Sequence, residues 1–467
     1  MILARLLDPR DFGLVGMVTA VIGVFSVLRD FGLSAAAVQR TVVTREQAST
    51  LFWINVLVGA SLACLSVIAA PFVAAFYHEP RLIAVTCVLA SGFLFNAAGV
   101  QHSAILERQM RFTTLSIIDV VSLLAGSLTA IAMAMRNFGY WSLAASSTAT
   151  PLAYTLCVWI ASSWIPGRPR GGHEIRSMIR FGGTLTANSL VMYITTNFEK
   201  VLLGRFWGAD AIGLYGRAYQ LVNIPNDNLN SAATGVAFPT LSRLKDHPPR
   251  FRSYFLKAYS LIVSLTVPIT VTSALFASDM ISVFLGPKWA SAVPIFRLLA
   301  PTTLAFAIIN PTGWLLMSLG LVNRGLKIAL VLAPVMITGY LAGLSFGPRG
   351  VAFAYSAMMV VCAIPIIAWA VHGTVVSLGD ILGVVSRPLL SGLVAAMVGL
   401  AAQAGVGAHL PALARLILDV TLVMAAYLAM LMWICGQKAF YVDTIRSFRK
   451  SSPNTDATPE SFAVATP

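Results

Sequence analysis

Apolar residues in this chain come in long unbroken runs, and polar residues gather in the short connectors between them. The runs lie near 13–36, 50–77, 82–105, 114–135, 138–164, 179–204, 210–237, 255–285, 290–319, 325–346, 349–371, 384–404 and 412–435. About 20 apolar residues in a helix cross the hydrocarbon layer of a bilayer. Each run therefore predicts a membrane-spanning helix, thirteen in all. Only a stub, residues 1–7, precedes the first run. Residues 451–467 are polar and rich in Ser, Thr and Pro, the pattern of a disordered end.

Composition strengthens this reading. The chain is 57% hydrophobic and 11% charged, with a mean hydropathy of +0.80. A soluble domain carries about 25% charged residues, and no soluble core of 467 residues could hide so much apolar surface. The fold class is all-α: a polytopic membrane bundle.

Charge then orients it. The net charge is +14, but the basic residues sit in short connectors rather than in a soluble domain, so nucleic acid is not an expected partner. Connectors alternate between two sets. Twenty of the 32 lysines and arginines fall on one set and nine on the other. The richer set predicts the cytoplasmic face, which places the C-terminus inside.

Motifs for other chemistries are missing. The 5 cysteines lie far apart within apolar runs, and the 6 histidines have no metal-ligand spacing. There is no GxxxxGK[ST] phosphate loop and no GxSxG nucleophile elbow. Neither a metal, a cofactor nor a catalytic residue is called for.

The chain also repeats itself. Arg5-Leu-Leu-Asp-Pro-Arg-Asp-Phe-Gly-Leu-Val-Gly16 matches Arg205-Phe-Trp-Gly-Ala-Asp-Ala-Ile-Gly-Leu-Tyr-Gly216 at Arg, Gly, Leu and Gly, 200 residues apart. Six spans separate the copies. An even number returns the chain to the same side, so the repeats are parallel, with their axis along the membrane normal. The second copy follows a full helix and the first follows almost nothing. The repeat thus predicts a first helix largely missing, with about 15–20 residues preceding Met1.

Ionisable residues inside spans are the candidates for function, because a bare charge there costs several kcal/mol. Arg29, Lys200, Arg217 and Arg297 are candidates for lining a cavity that receives a phosphorylated lipid, since guanidinium forks and ammonium groups match phosphate oxygens. The alternative for Arg29 and Lys200 is snorkelling to an interface, and for Arg217 full solvation. Asn197 and Asn228, with Asn223 and Asn230, either hydrogen-bond sugar hydroxyls or join helices. Asp30, Glu199 and Asp227 either bind a coupling cation or neutralise their basic neighbours. Asp119 and Asp419 carry no functional expectation.

Several segments resemble a known family. Arg5 to Leu14, Leu28-Arg-Asp-Phe-Gly-Leu-Ser-Ala-Ala-Ala-Val-Gln-Arg40, Asn197-Phe-Glu-Lys-Val-Leu-Leu-Gly-Arg205, Gly213-Leu-Tyr-Gly-Arg-Ala-Tyr219 and Phe238-Pro-Thr-Leu-Ser-Arg243 are similar, in order and spacing, to polysaccharide-exporting flippases. These form the colanic-acid and succinoglycan-exporter-like branch of the multidrug/oligosaccharidyl-lipid/polysaccharide exporter superfamily. The resemblance covers residues 1 to about 435. It implies two six-helix lobes, an N-terminal one over 1–165 and a C-terminal one over 175–372. An extra helix pair over 380–437 and a cytoplasmic tail over 438–467 complete the plan. It also implies movement of an undecaprenyl-diphosphate-linked oligosaccharide across a bacterial inner membrane by alternating access, for exopolysaccharide or lipopolysaccharide synthesis, beside a polymerase and export machinery. A multidrug or lipid-linked peptidoglycan-precursor exporter is the alternative within the superfamily. A membrane polymerase or ligase is the alternative outside it, disfavoured by external connectors too short to hold an active site.

Overall fold

The computed structural model describes residues 1–29, 45–169, 173–405, 411–434 and 436, with the side chains of 29, 45, 173–189, 191, 192, 405 and 434 excepted. Every regular element within them is helical. Lobe one holds α1 (Ile2–Leu6), α2 (Pro9–Arg29), α3 (Arg45–Tyr77), α4 (Leu82–Arg108), α5 (Phe112–Met135) and α6 (Tyr140–Ser162). Lobe two holds α7 (His173–Leu244), α8 (Pro248–Leu275), the short α9 (Ala277–Phe284), α10 (Val293–Ser318), α11 (Val322–Leu344) and α12 (Gly347–Val371). Two more helices follow, α13 (Leu378–Gly405) and α14 (Ala412–Ala429), the last ending in a π-helical turn.

Among the described residues, eleven helices are long and apolar enough to cross a membrane. The remaining two expected spans are the halves of α7, which is too long for one crossing. It breaks at Gly208, where φ of 80° and ψ of −172° belong to neither helix. The halves fold back on each other there: a Cβ on Gly204 would lie 2.6 Å from Ile212 Cδ1. Only glycine adopts such a backbone without strain. The equivalent break in lobe one falls between α1 and α2. Pro9 starts α2 at a position that needs no amide hydrogen, and Asp11 Oδ2 accepts a hydrogen bond from the Asp8 amide at 3.1 Å, closing one side of a capping box.

The run at 255–285 behaves differently from expectation. The span stops at Leu275, and Ala277–Phe284 form a separate short helix. Asp279, buried in α9, is gripped by the Arg415 guanidinium of α14 through both carboxylate oxygens. That ion pair holds α9 against α14.

Two hydrophobic cores organise the bundle. One runs through both lobes near Asp8 and Gly208, centred on Leu14, Met17, Tyr215, Trp289 and Phe296. The other joins α8 and α10 to α13 and α14 around Phe255, Tyr259, Phe276 and Tyr427. Large apolar side chains such as Phe72, Leu123, Ile160, Val361 and Leu393 point outward. An exposed apolar surface of this extent belongs against lipid.

Candidate functional site

The two repeats meet face to face. A Cβ on Gly13 would lie 1.7 Å from the Ala209 carbonyl oxygen, and a Cβ on Gly213 would lie 1.8 Å from that of Pro9. The residues in these contacts are related by the same 200-residue offset as the sequence repeat, so the seat is two-fold. Both glycines are required because each receives the other repeat's backbone.

Further contacts cross at this end. Arg5 of lobe one donates to the Val283 carbonyl of lobe two at 2.7 Å, and Arg205 of lobe two meets His78 Nδ1 of lobe one at 2.8 Å. Trp289, fully buried, donates to the Ala4 carbonyl at 2.7 Å and stands edge-on to Phe12. An exposed Lys288–Asp8 pair at 2.8 Å adds little. The end that holds Asp8 and Gly208 is therefore sealed by packed backbone and buried indole.

Beneath the seal lies a cavity of about 750 Å³ between the lobes. It begins at Leu3 and Phe12 and is walled by α2 and α6 on one side and both halves of α7 on the other. Four expected site residues come together here: Asn197, Lys200, Arg217 and Asp227. Lys200 donates to Asn197 Oδ1 at 2.8 Å and lies 5.4 Å from the centre of the Tyr219 ring. The Arg217 guanidinium lies 3.8 Å over the Phe12 ring and donates to Gln220 Oε1 at 2.5 Å. Aromatic faces and amides hold both cations in place; among the described residues no carboxylate forms an ion pair with either. A cation–π contact supports a charge by about 0.5–2 kcal/mol without neutralising it.

A recess of about 160 Å³ continues from this cavity into lobe one, sharing Thr19 and Ser147 with it. Ser26 and Asn96 add polar groups, Phe93 and Leu89 an apolar floor, and no ionisable side chain lines it.

Other expected residues lie elsewhere. Glu199 faces away from the cavity and is buried, with Oε2 lacking a partner. It is within electrostatic reach of Tyr215, Tyr219 and Tyr340. Asn228 donates back to the Ile224 carbonyl at 2.8 Å and does not line the cavity. Arg297 is exposed on α10, also away from it. The Arg29 side chain and Asp30 lie outside the described residues. The sequence reading missed Tyr193, Tyr219 and Gln220, which line the cavity, and counted Asn223, which also lines it, only as an accessory. A signal for them was present. Gly213, Gly216, Gln220, Asn223 and Asp227 recur every three or four residues, so they share one helix face; Tyr193, Asn197 and Lys200 do the same. Glu199 and Asn228 each sit one residue off those faces; Arg217 and Tyr219 do too and still reach the cavity, so this spacing marks Tyr193, Gln220 and Asn223 but not Tyr219.

Two pseudo-symmetric helical lobes enclose this charged cavity, and comparison with solved structures agrees on the fold. The lipid II flippase MurJ, in an inward closed conformation, superposes with a TM-score of 0.74 at 13% identity, covering 95% of this chain and 96% of that one. An inward-facing multidrug resistance MATE transporter gives 0.64 at 15% identity, over 82% of this chain and 93% of that one. The chain belongs to the polysaccharide biosynthesis protein family, whose profile matches residues 2–294. The teichuronic acid biosynthesis protein TuaB of Bacillus subtilis (strain 168) is 30% identical, over 63% of this chain and 61% of its own length. The lipopolysaccharide biosynthesis protein WzxC of Escherichia coli (strain K12) is 26% identical, over 73% of this chain and 71% of its own. The succinoglycan biosynthesis transport protein ExoT of Rhizobium meliloti (strain 1021) is 25% identical, over 88% and 83%. The chain thus spans about three fifths of the TuaB relative and rather more of the others. Among the described residues, its helices make it a multi-pass membrane protein.

Proposed function

We propose that this protein is a flippase for a lipid-linked oligosaccharide, carrying an undecaprenyl-diphosphate-linked unit across a bacterial inner membrane for exopolysaccharide or lipopolysaccharide synthesis. One observation carries the reading. Lys200 and Arg217 face a cavity between the lobes and, among the described residues, neither forms an ion pair with a carboxylate. Two cations held within a bundle without a direct ion pair are costly, and a diphosphate repays that cost with charge-assisted hydrogen bonds. The uncharged recess around Ser26, Asn96 and Ser147 suits sugar hydroxyls.

The basic connectors face the cytoplasm in this reading, and the C-terminus lies on the same side. The seal at Asp8 and Gly208 is then periplasmic, and the molecule is in the state that loads from inside. Lobe one (1–165) and lobe two (175–372) are the bodies that rock about the glycine seat. The protein acts without a chemical step of its own and hands its cargo to a separate polymerase.

The test is complementation of a polysaccharide-export deletion strain, scoring surface polymer and the lipid-linked intermediate. Restored polymer with a cleared intermediate is expected. Restored chain length with an unchanged intermediate would mean an enzyme. Rescue only of a strain lacking its peptidoglycan-precursor flippase would reassign the cargo.

A further inference from the structure

An interlobe contact of a different kind lies away from the seal. The Tyr193 phenol, on the first half of α7, donates to the Thr19 carbonyl of α2 at 2.9 Å, with the Ala20 carbonyl at 3.5 Å. The contacts of Arg5, Arg205 and Trp289 cross at the end that holds Asp8 and Gly208. Tyr193 crosses deeper, beside Gly23, which stands ten residues beyond the Gly13 seat and about 15 Å farther along α2.

The phenol fits because α2 has a glycine there. A Cβ on Gly23 would lie 1.8 Å from the Tyr193 hydroxyl oxygen and 2.6 Å from Cζ. No side chain larger than hydrogen can share that space. Glycine inside a helix is disfavoured against alanine, and here a ring from the other lobe accounts for it. In the 200-residue register, Asn223 stands where α2 has Gly23, so the notch belongs to lobe one alone.

The contact adjoins the cargo-facing cations. Tyr193 lines the central cavity and shares one face of α7 with Asn197 and Lys200. Lys200 lies seven residues on, about 10 Å along the axis. Asn197 joins the two, donating to the Tyr193 carbonyl at 3.0 Å and accepting from Lys200 at 2.8 Å. Thr19 and Gly23 line the adjoining recess. The docked phenol therefore stands where cavity and recess meet, on the side of Lys200 that faces the basic connectors.

We propose that Tyr193 is a gating residue. Docked in the Gly23 notch, it ties α7 to α2 beside the cavity; undocked, it lets the lobes part so that cargo reaches Lys200 and Arg217. The inference rests on the reading of the two lobes as bodies that rock, and not on the identity of the cargo. A hydrogen bond between neutral groups suits this task. It closes the wall without a charge that would compete for a diphosphate, and its net contribution is small enough to be broken in every cycle.

The experiment measures lobe separation in the cargo-free, full-length protein by pulsed electron spin resonance. The 5 native cysteines are replaced. Nitroxides are attached through Gln109→Cys in the α4–α5 connector and Asp246→Cys in the α7–α8 connector, both exposed. The parent should show one main distance and a minor longer one. Tyr193→Phe keeps the ring and loses the hydrogen bond, so the longer population should rise about fivefold, the equivalent of one net hydrogen bond. Gly23→Ala displaces the phenol and should raise that population at least as far. In a Tyr193→Leu background no ring fills the notch, and Gly23→Ala should add little. The proposal is overturned if Tyr193→Phe leaves the distances as in the parent, or if Gly23→Ala acts equally with and without the ring. A lowered melting temperature with unchanged distances also overturns it, making Tyr193 a packing residue and not a gate. Failure of the flippase reading shows instead in complementation, with these distances unaffected.

Discussion

Helix α2 and the second half of α7 are the same helix used twice. They share the Gly13/Gly213 seat, start at equivalent breaks, and face each other across the cavity. Their cavity positions differ almost completely. Arg217, Tyr219, Gln220, Asn223 and Asp227 stand where α2 has Met17, Thr19, Ala20, Gly23 and Val27. Lobe one therefore offers small and hydroxylated groups, and lobe two offers charge and amides. The shared Gly13 and Gly213 receive backbone, and the divergent positions give the cavity wall its charge and its amides.

The largest expected effect tests the shared part. Gly13→Ala and Gly213→Ala each place a methyl group within 2 Å of a carbonyl oxygen. Neither backbone can retreat without parting the lobes, so each substitution should cost about 3 kcal/mol, the upper end for overpacking. Near-complete loss of export is expected in both, with a lowered melting temperature in detergent. The two-fold seat also requires the two losses to be similar; a silent Gly13→Ala beside a lethal Gly213→Ala would break the symmetry argument.

The next effect tests the divergent part. Arg217→Gln removes a cation from the cavity wall, whereas Met17→Leu alters the matching, buried position of α2. Charge-assisted hydrogen bonds contribute about 1.5–3 kcal/mol, or roughly ten- to a hundredfold in affinity. Binding of undecaprenyl diphosphate to Arg217→Gln should weaken by that factor. Met17→Leu should bind as the wild type does, and Lys200→Gln should behave like Arg217→Gln. Titration of purified variants with the sugar-free lipid reads this directly.

How much of this was visible in the chain follows from the same comparison. The spans were legible because bilayer crossing demands unbroken apolar runs. The break around Gly208 was legible because one apolar run ends near 204 and the next begins near 210. Arg217 and Lys200 stood out as charges where charges are costly. Arg297 stood out for the same reason and Asn228 as an amide within a span, and yet both lie off the cavity, because composition within a span carries no information about helical phase. The phase was recoverable from Gly213, Gly216, Gln220, Asn223 and Asp227. The docking of the separate helix α9 was not recoverable: the pair that fastens it joins Asp279 and Arg415, 136 residues apart, and pairing at that distance leaves no local trace.

The seal provides a smaller test. Arg5 and Arg205 make crossed contacts, Arg5 reaching the short helix α9 of lobe two and Arg205 the α3–α4 connector of lobe one. A hydrogen bond of this kind contributes about 1 kcal/mol net. Arg5→Ala and Arg205→Ala should each loosen the sealed end slightly, and the double substitution should do so about additively. A cysteine at position 3, on the cavity wall beneath the seal, reports this through its rate of labelling by a membrane-impermeant maleimide from the periplasmic side. The single variants should label a few times faster than the parent, and the double variant faster again. Equal rates in all four proteins would show that Trp289 and the glycine seat hold the end shut without the arginines.

The smallest effect concerns the one acid on the charged wall. Asp227 shares the cavity with Lys200 and Arg217 and has no counterpart in α2, where Val27 stands. A carboxylate among cations that receive a diphosphate repels the ligand. Asp227→Asn keeps the side-chain size and removes the repulsion, so binding of undecaprenyl diphosphate should tighten severalfold. Turnover should not rise with it. Tighter holding of the ground state slows release unless the transition is stabilised equally, so export of the complete lipid-linked unit should stay level or fall. Measured together, the two responses separate a cavity tuned for capture from one tuned for passage. If binding weakens on Asp227→Asn, the acid instead organises the cations, and the wall works as a single network rather than as cations tempered by one acid.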